Sequence, residues 1–225
     1  MSTGISIQIR GTVFADKNVG TQTLCTDRYL SWIKGDGASY IATGVTGYRA
    51  NGNDVAGTIP SAAPRLEVTF AIDGKIIGNS GVMLSSPSGN TRAVVTGSNK
   101  LNMYGKGAVA TNVQLIEGTQ YKLTYGSVKS YIDSSEIADN TNMSNQYRLN
   151  AYSTQAIDLF KAVVSSSTYY AHNIKIYEFK YYEGETLVRH LKPYAKKTGE
   201  IGMYDVVSST FYANQGTGNF AFAEL

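Results

Sequence analysis

Cysteine is almost absent: Cys25 is the single one in 225 residues. Neither an intramolecular disulfide nor a thiolate cluster for zinc can therefore form, and a chain of this length can bury a sizeable core without staples. Cys25 reads as a small apolar residue left in a chain that folds in a reducing compartment. The only two histidines, His172 and His190, lie at no metal-ligand spacing from each other or from the cysteine. Nowhere do the roughly eighteen consecutive apolar residues of a membrane-spanning helix occur. The opening MSTGISIQIRGTVFADKN has no basic leader followed by an apolar run and a small-residue cleavage site, so a secretory precursor is not expected. Charge is sparse as well, at 16% of residues with a net +3, against roughly 25% in an average soluble domain. The densest basic cluster, RHLKPYAKK from Arg189 to Lys197 with Tyr194 inside it, lacks regular spacing. It reads as a solvated loop at a strand end, and neither a nucleic-acid nor a membrane partner is expected.

What is present is β-sequence. Tyrosine (17) and glycine (23) are abundant while proline numbers 4, and no segment keeps apolar residues at helical spacing for more than about two turns. In LEVTFAID, Leu66, Val68, Phe70 and Ile72 fall on one face and Glu67, Thr69, Ala71 and Asp73 on the other, the two-residue period of a half-buried strand. QYKLTYG repeats this with Tyr121, Leu123 and Tyr125, and ISIQIRG with Ile5, Ile7 and Ile9. Turn signals divide the runs at IDGK, SPSGN, EGT, YEGE and KTGE, as in hairpins between antiparallel strands. An all-β antiparallel sandwich is the economical architecture. The stretch TQAIDLFKAVV stands apart: Ala156, Leu159, Phe160 and Val163 share a helical face, so a short helical cap or a strand edge is open there. No linker or compositional break divides the chain, and one main domain is expected from residue 29 to 225. Residues 1 to 28 are either its outermost strand or an arm that docks on a neighbouring subunit.

The C-terminal stretch GMYDVVSSTFYANQGTGNF reads as a seam that closes the sandwich. Gly202, Gly216 and Gly218 would supply positive φ for tight turns. Asp205 and Asn214 would bind nearby backbone amides and fix those turns. Tyr204, Phe211, Tyr212 and Phe220 would bury large aromatic area. The alternative is an aromatic platform for sugar rings.

Three segments resemble the concanavalin A-like (laminin-G/pentraxin type) jelly-roll domains found in phage structural proteins and in proteins of gut bacteria. YLSWIKGDGASYIATGV is similar to that family's opening YI-x-STGTQYIDTG-V at Gly37, Tyr40, Ile41, Thr43 and Gly44, with Ala42 in place of the usual Asp. YKLTYGSVKSYIDSSEIA resembles its YIDG hairpin, with Ser134 where glycine is usual. The third segment, NIKIYEFKYYEGETLVRHLKPYAKKTGEIGMYDVVSSTFYANQGTGNF, is similar to its closing pattern, KIYxFKIYDxGxLVRDFxPxxxxxGxxGLYDxVNxxFYxNxGTGxF. The resemblance implies a concanavalin A-like jelly-roll β-sandwich and a non-enzymatic virion component such as an auxiliary capsid, head-fibre or baseplate protein. Its implied partners are other virion proteins and further copies of the chain in a symmetric oligomer. Its place would be the virion, assembled in the host cytoplasm. The alternative is a lectin-like module for a cell-surface glycan, with Trp32, Tyr48, Tyr104 and Tyr152 stacking on sugar. Trp32 separates the two: beside Tyr29 and Ile33 it reads as a core residue, and exposure would favour the lectin.

Residues for catalysis are wanting. The paired carboxylates of a glycosidase have their nearest counterparts in Asp133 with Glu136 and Glu183 with Glu185, both at turns where acids are solvated. No G-x-S-x-G elbow presents a serine, and His190 reads as a cap on the polar face of a strand. Asp36, Asp54, Asp73 and Asp133 sit in loops but form no DxDxN cluster, so no obligatory calcium is expected, nor any cofactor.

Overall fold

The computed structural model describes residues 26–46, 64–78, 81–86, 92–104, 108–126, 129–139, 156–164 and 166–225. Strands are numbered in chain order. The large sheet runs β10 (Ser135–Asp139), β9 (Lys129–Ile132), β8 (Gln120–Gly126), β3 (Pro64–Ile72), β14 (His172–Glu183), β1 (Arg28–Asp36), β15 (Thr186–Ala195), β16 (Ile201–Asp205), β17 (Thr210–Ala213), with β18 (Ala221–Glu224) also beside β1. The small sheet runs β2 (Ile41–Thr46), β11 (Ala156–Leu159), β4 (Val82–Ser85), β5 (Arg92–Val95), β6 (Lys100–Tyr104), β7 (Ala108–Gln114). A separate hairpin joins β12 (Lys161–Val164) to β13 (Ser167–Tyr170). The strand pairings are antiparallel, and no helix occurs among the described residues. This is the all-β sandwich that the alternation and the turns lead one to expect.

Period-two patterning builds the core. Leu66, Val68, Phe70 and Ile72 of β3 are fully buried, while Glu67 and Thr69 between them are only half-buried on the outer face. Cross-strand register continues the inward set through the small sheet, where Ile41, Leu159, Leu84, Ala93 and Met103 follow one another across five strands, each fully buried. The two inward faces meet in one cluster. Fully burying one such large apolar side chain contributes roughly 1.5–3 kcal/mol, a gain the row repeats at Ile41, Leu159, Leu84 and Met103. Turns fall where glycine allows them: Gly184 (φ 58°) joins β14 to β15, and Gly199 (φ 88°) joins β15 to β16. At the hairpin of β9 and β10, Asp133 takes the left-handed conformation (φ 53°), so Ser134 needs no glycine at its place.

Residues 156–164 differ from the helical option. Residues 156–159 and 161–164 are strands, and a corner at Phe160 buries Leu159 and Phe160 in succession while Ala156 and Val163 stay half-buried. Phe160 sits at φ 68° with no exposure, a strained conformation for a bulky residue. Its N–H donates to the Met83 carbonyl (3.0 Å), its own carbonyl accepts from Ala171 (2.7 Å), and its ring packs on Phe220 at 5.3 Å. These contacts hold the corner against the strain.

The C-terminal stretch is divided by the same period of two. Met203 and Asp205 point inward and are fully buried, and Tyr212, opposite Met203, packs against the core. Tyr204 and Phe211, opposite each other, point outward. The inward half closes the seam where β17 approaches the edge strand β2. Asn214 Oδ1 accepts from the Tyr40 and Gly216 amides (3.1 and 2.9 Å), and its Nδ2 donates to the Gly218 carbonyl (2.7 Å). The glycines serve a purpose other than turn geometry, since Gly202, Gly216 and Gly218 keep φ outside the left-handed region. A Cβ would lie 2.3 Å from the Tyr212 carbonyl oxygen at Gly202, 2.0 Å from that of Ala38 at Gly216, and 2.1 Å from the Asp36 carboxylate at Gly218. Close approach of backbone requires glycine at 202 and 216, whereas at 218 the Asp36 side chain would have to move.

Candidate functional site

The large sheet has a fork. β14 and β15 pair from Glu183 and Thr186 as far as Phe179 and Leu191, then part to admit β1, whose Ile33 pairs with Ile176 on one side and Tyr29 with Tyr194 on the other. Two irregularities mark it. The register of β14 on β3 steps from Ile176 to Glu178, so Tyr177 is an extra, unpaired residue that re-aims its side chain, as bulges do. On β15, Pro193 has no N–H to offer a ladder. A groove of about 350 Å³ opens at the fork, lined by Tyr29, Leu30, Ser31, Thr69, Gln120, Tyr177, Glu178, Lys192, Pro193 and Leu225.

An aromatic cluster borders it. The rings of Tyr194 and Tyr204 stack at 5.0 Å, Tyr29 meets both edge-on at 5.2 and 6.1 Å, and Phe211 lies 6.1 Å from Tyr194. Lys196 Nζ sits 4.0 Å above the Phe211 ring. Tyr29, 38% exposed, belongs to both cluster and groove. The outward half of the C-terminal stretch thus forms part of a surface, while the inward half packs into the seam.

The charges of the groove are unequal. Glu178 carries two partners, the Lys180 ammonium (2.8 Å) and His190 Nε2. Burial raises its pKa, but the hydrogen bonds from Lys180 and His190 outweigh that and hold the carboxyl below its usual range. Lys192, by contrast, makes no ion pair among the described residues. Beyond Tyr177, Asp73 is shared by Lys34 (2.6 Å) and Lys175 (2.7 Å). Burial again opposes ionisation there, and the two ammonium groups win, keeping Asp73 low. Lys175 stands two residues before Tyr177 on β14 and opposite Lys34 of β1, which places this cluster beside the groove, and burial with the nearby Asp73 charge pushes the Tyr177 phenol up.

The predicted glycan residues are not brought together. Trp32 is half-buried on the outer face of the large sheet, with Lys175 Nζ 4.4 Å from its ring, and is not the core residue expected beside Ile33. Tyr104 lies on the outer face of the small sheet under the Arg92 guanidinium (3.7 Å), in a row with Ser85 and Asp158. Tyr48 and Tyr152 fall outside the described residues, as do Cys25 and Asp54. The cluster from Arg189 to Lys197 is largely strand β15 itself, with Leu191, Pro193 and Ala195 inward and Lys192 and Tyr194 outward. That alternation was the available signal for Tyr194 and Lys192.

The remaining candidate acids are committed elsewhere. Asp36 accepts the Ala38 and Asn219 amides, Asp133 accepts the Lys122 amide, and Glu136 pairs with Lys129 at 2.8 Å. Glu183 and Glu185 flank the β14–β15 turn. No group of three or more metal-ligating side chains occurs among the described residues.

No protein-family model and no curated protein matches the chain. Among solved structures it is similar to a Bacteroides ovatus protein whose carbohydrate binding is a provisional assignment, with TM-score 0.51 and 10% identity over 88% of this chain. The match spans 61% of that protein, less than two thirds of its length. Two further similar structures are the CBM40 module of a Ruminococcus gnavus IT-sialidase, bound to alpha2,3 sialyllactose (TM-score 0.45, 10% identity, 70% of this chain and 89% of that one) and alone (0.43, 11%, 70% and 90%). At 10% identity the likeness to the Bacteroides ovatus protein concerns the fold alone, a β-sandwich.

Proposed function

We propose that this chain is a non-catalytic carbohydrate-binding module that holds its ligand at the fork of the large sheet. The observation that carries this reading is the juxtaposition of an outward aromatic cluster with a groove of mixed lining. A sugar ring presents C–H faces and hydroxyl edges. Tyr29 and Tyr177 offer flat apolar area for the first, and Ser31, Thr69, Gln120 and Glu178 offer donors and acceptors for the second. The provisional carbohydrate-binding assignment of the similar Bacteroides ovatus protein accords with it. The virion role first suggested by the sequence gains no support from fold or comparisons, although a glycan site would serve a virion as well.

A glycan array followed by calorimetric titration tests the reading. Binding is expected, and Tyr29→Ala should weaken it about tenfold, the effect of one well-placed aromatic contact. Tyr104→Ala, on the opposite sheet, should leave it unchanged. Loss of binding with Tyr104→Ala alone would move the site to the small sheet, and a folded protein that binds no glycan would end the proposal.

A further inference from the structure

We infer that the groove selects an acidic saccharide, with a carboxylate or sulfate on the Lys192 ammonium and the sugar ring against Tyr29, an assignment that rests on the carbohydrate-binding reading above. Two adjacent sites carry it. Within the groove the one carboxylate side chain, Glu178, is already paired with Lys180 and hydrogen-bonded to His190, whereas Lys192 faces the same space with no ion pair among the described residues. On the far side of Tyr177, Lys34 and Lys175 share the single charge of Asp73, leaving one positive charge uncompensated beside Trp32.

Elsewhere on the large sheet Arg28 pairs with Glu224, Lys196 with Glu200 and Lys129 with Glu136, while Arg65 and Lys122 share Glu67. A neutral sugar would leave the Lys192 ammonium to water. An acidic one gains a charge-assisted hydrogen bond, roughly twice as strong as its neutral counterpart, in a groove whose walls reduce solvent screening.

The test uses the full chain on an array carrying neutral, carboxylated and sulfated glycans, with hits measured by calorimetry at low and high sodium chloride. The expected hits are carboxylated or sulfated, and the two groups of probes show which acid is preferred. Lys192→Met should weaken the best acidic ligand about tenfold, Lys192→Arg should largely retain it, and added salt should weaken it. Equal binding of neutral and acidic glycans, or acidic binding indifferent to Lys192→Met, would overturn this inference and leave the carbohydrate-binding reading standing. No binding to any glycan by protein with an unchanged unfolding midpoint would overturn both.

Discussion

Two buried aspartates of this sandwich titrate in opposite directions. Asp205, at the closing seam, and Asp158, on the outer side of the small sheet, are 0% and 5% exposed. Burial is the largest influence on each and pushes each pKa up. Asp205 nevertheless ends below the usual value, because the Ser208 hydroxyl, the His190 and Val207 amides and the Arg189 guanidinium (2.8 Å) all donate to it. Asp158 has a single charged donor, Lys161 at 3.2 Å, which itself lies 3.7 Å above the Tyr40 ring, and its pKa stays raised. Donor number, more than burial, decides which of the two carboxylates stabilises the fold.

The largest expected effect follows from removing the better-satisfied charge. Asp205→Asn should destabilise the protein by about 3 kcal/mol, since it removes the buried charge that pairs with the Arg189 guanidinium and accepts the His190 and Val207 amides. Urea unfolding measures this, and a loss below about 1 kcal/mol would show that the seam is held by its apolar contacts instead. The pH dependence has a definite sign. The folded pKa of Asp205 is depressed, so its contribution is present above the ordinary aspartate value of 3.8 and is lost as pH falls through the lower folded value. The deficit of Asp205→Asn should therefore shrink only in strong acid.

Next in size is a comparison of two glycines. Gly216 lies where a Cβ would be 2.0 Å from the Ala38 carbonyl oxygen, while Gly118 has nothing within 4 Å but sits at φ 77°. Gly216→Ala should cost about 2–3 kcal/mol by forcing the segment after β17 away from the Ala38–Ser39 turn that leads into β2. Gly118→Ala should cost about 1 kcal/mol through backbone strain alone. Equal losses in chemical unfolding would mean that the seam can give way around an added methyl group.

These cases show what the sequence discloses. The alternation of LEVTFAID and the glycine turns specify strands and faces, because a period of two is local information. The same period in the C-terminal stretch separates Met203 and Asp205 from Tyr204, although composition alone suggested one seam. Trp32 was misjudged because the register of β1 slips between Leu30 and Trp32, so that Leu30 and Ile33, three residues apart, both face inward and the tryptophan faces out. The helical spacing of Ala156, Leu159, Phe160 and Val163 marks no common face, since the corner at Phe160 (positive φ) buries Leu159 and Phe160 in succession and leaves Ala156 and Val163 half-buried. The groove was hidden for a different reason. It exists only because β1 enters between β14 and β15, which joins residues about Tyr29 to residues about Tyr177 and Lys192, a pairing that no local pattern encodes.

The smallest expected effect returns to Asp158. A raised folded pKa means that the folded environment prefers the neutral carboxyl to the charged one, so at pH 7 the ionised group is a cost that its Lys161 partner only partly offsets. Asn has nearly the shape of the neutral acid. Asp158→Asn should consequently stay within about 1 kcal/mol of the parent at pH 7, even though Lys161 then keeps only the Tyr40 ring. As pH falls through the folded pKa toward 3.8, the parent takes up a proton and sheds the cost while the variant does not. The stability difference should then move in the parent's favour, opposite in sign to what acid does at Asp205. Unfolding curves of parent and variant at pH 7, 5 and 4 would reveal this crossing. If the difference moved the other way, the ion pair with Lys161 would be stronger than the burial it opposes, and the two aspartates would be alike.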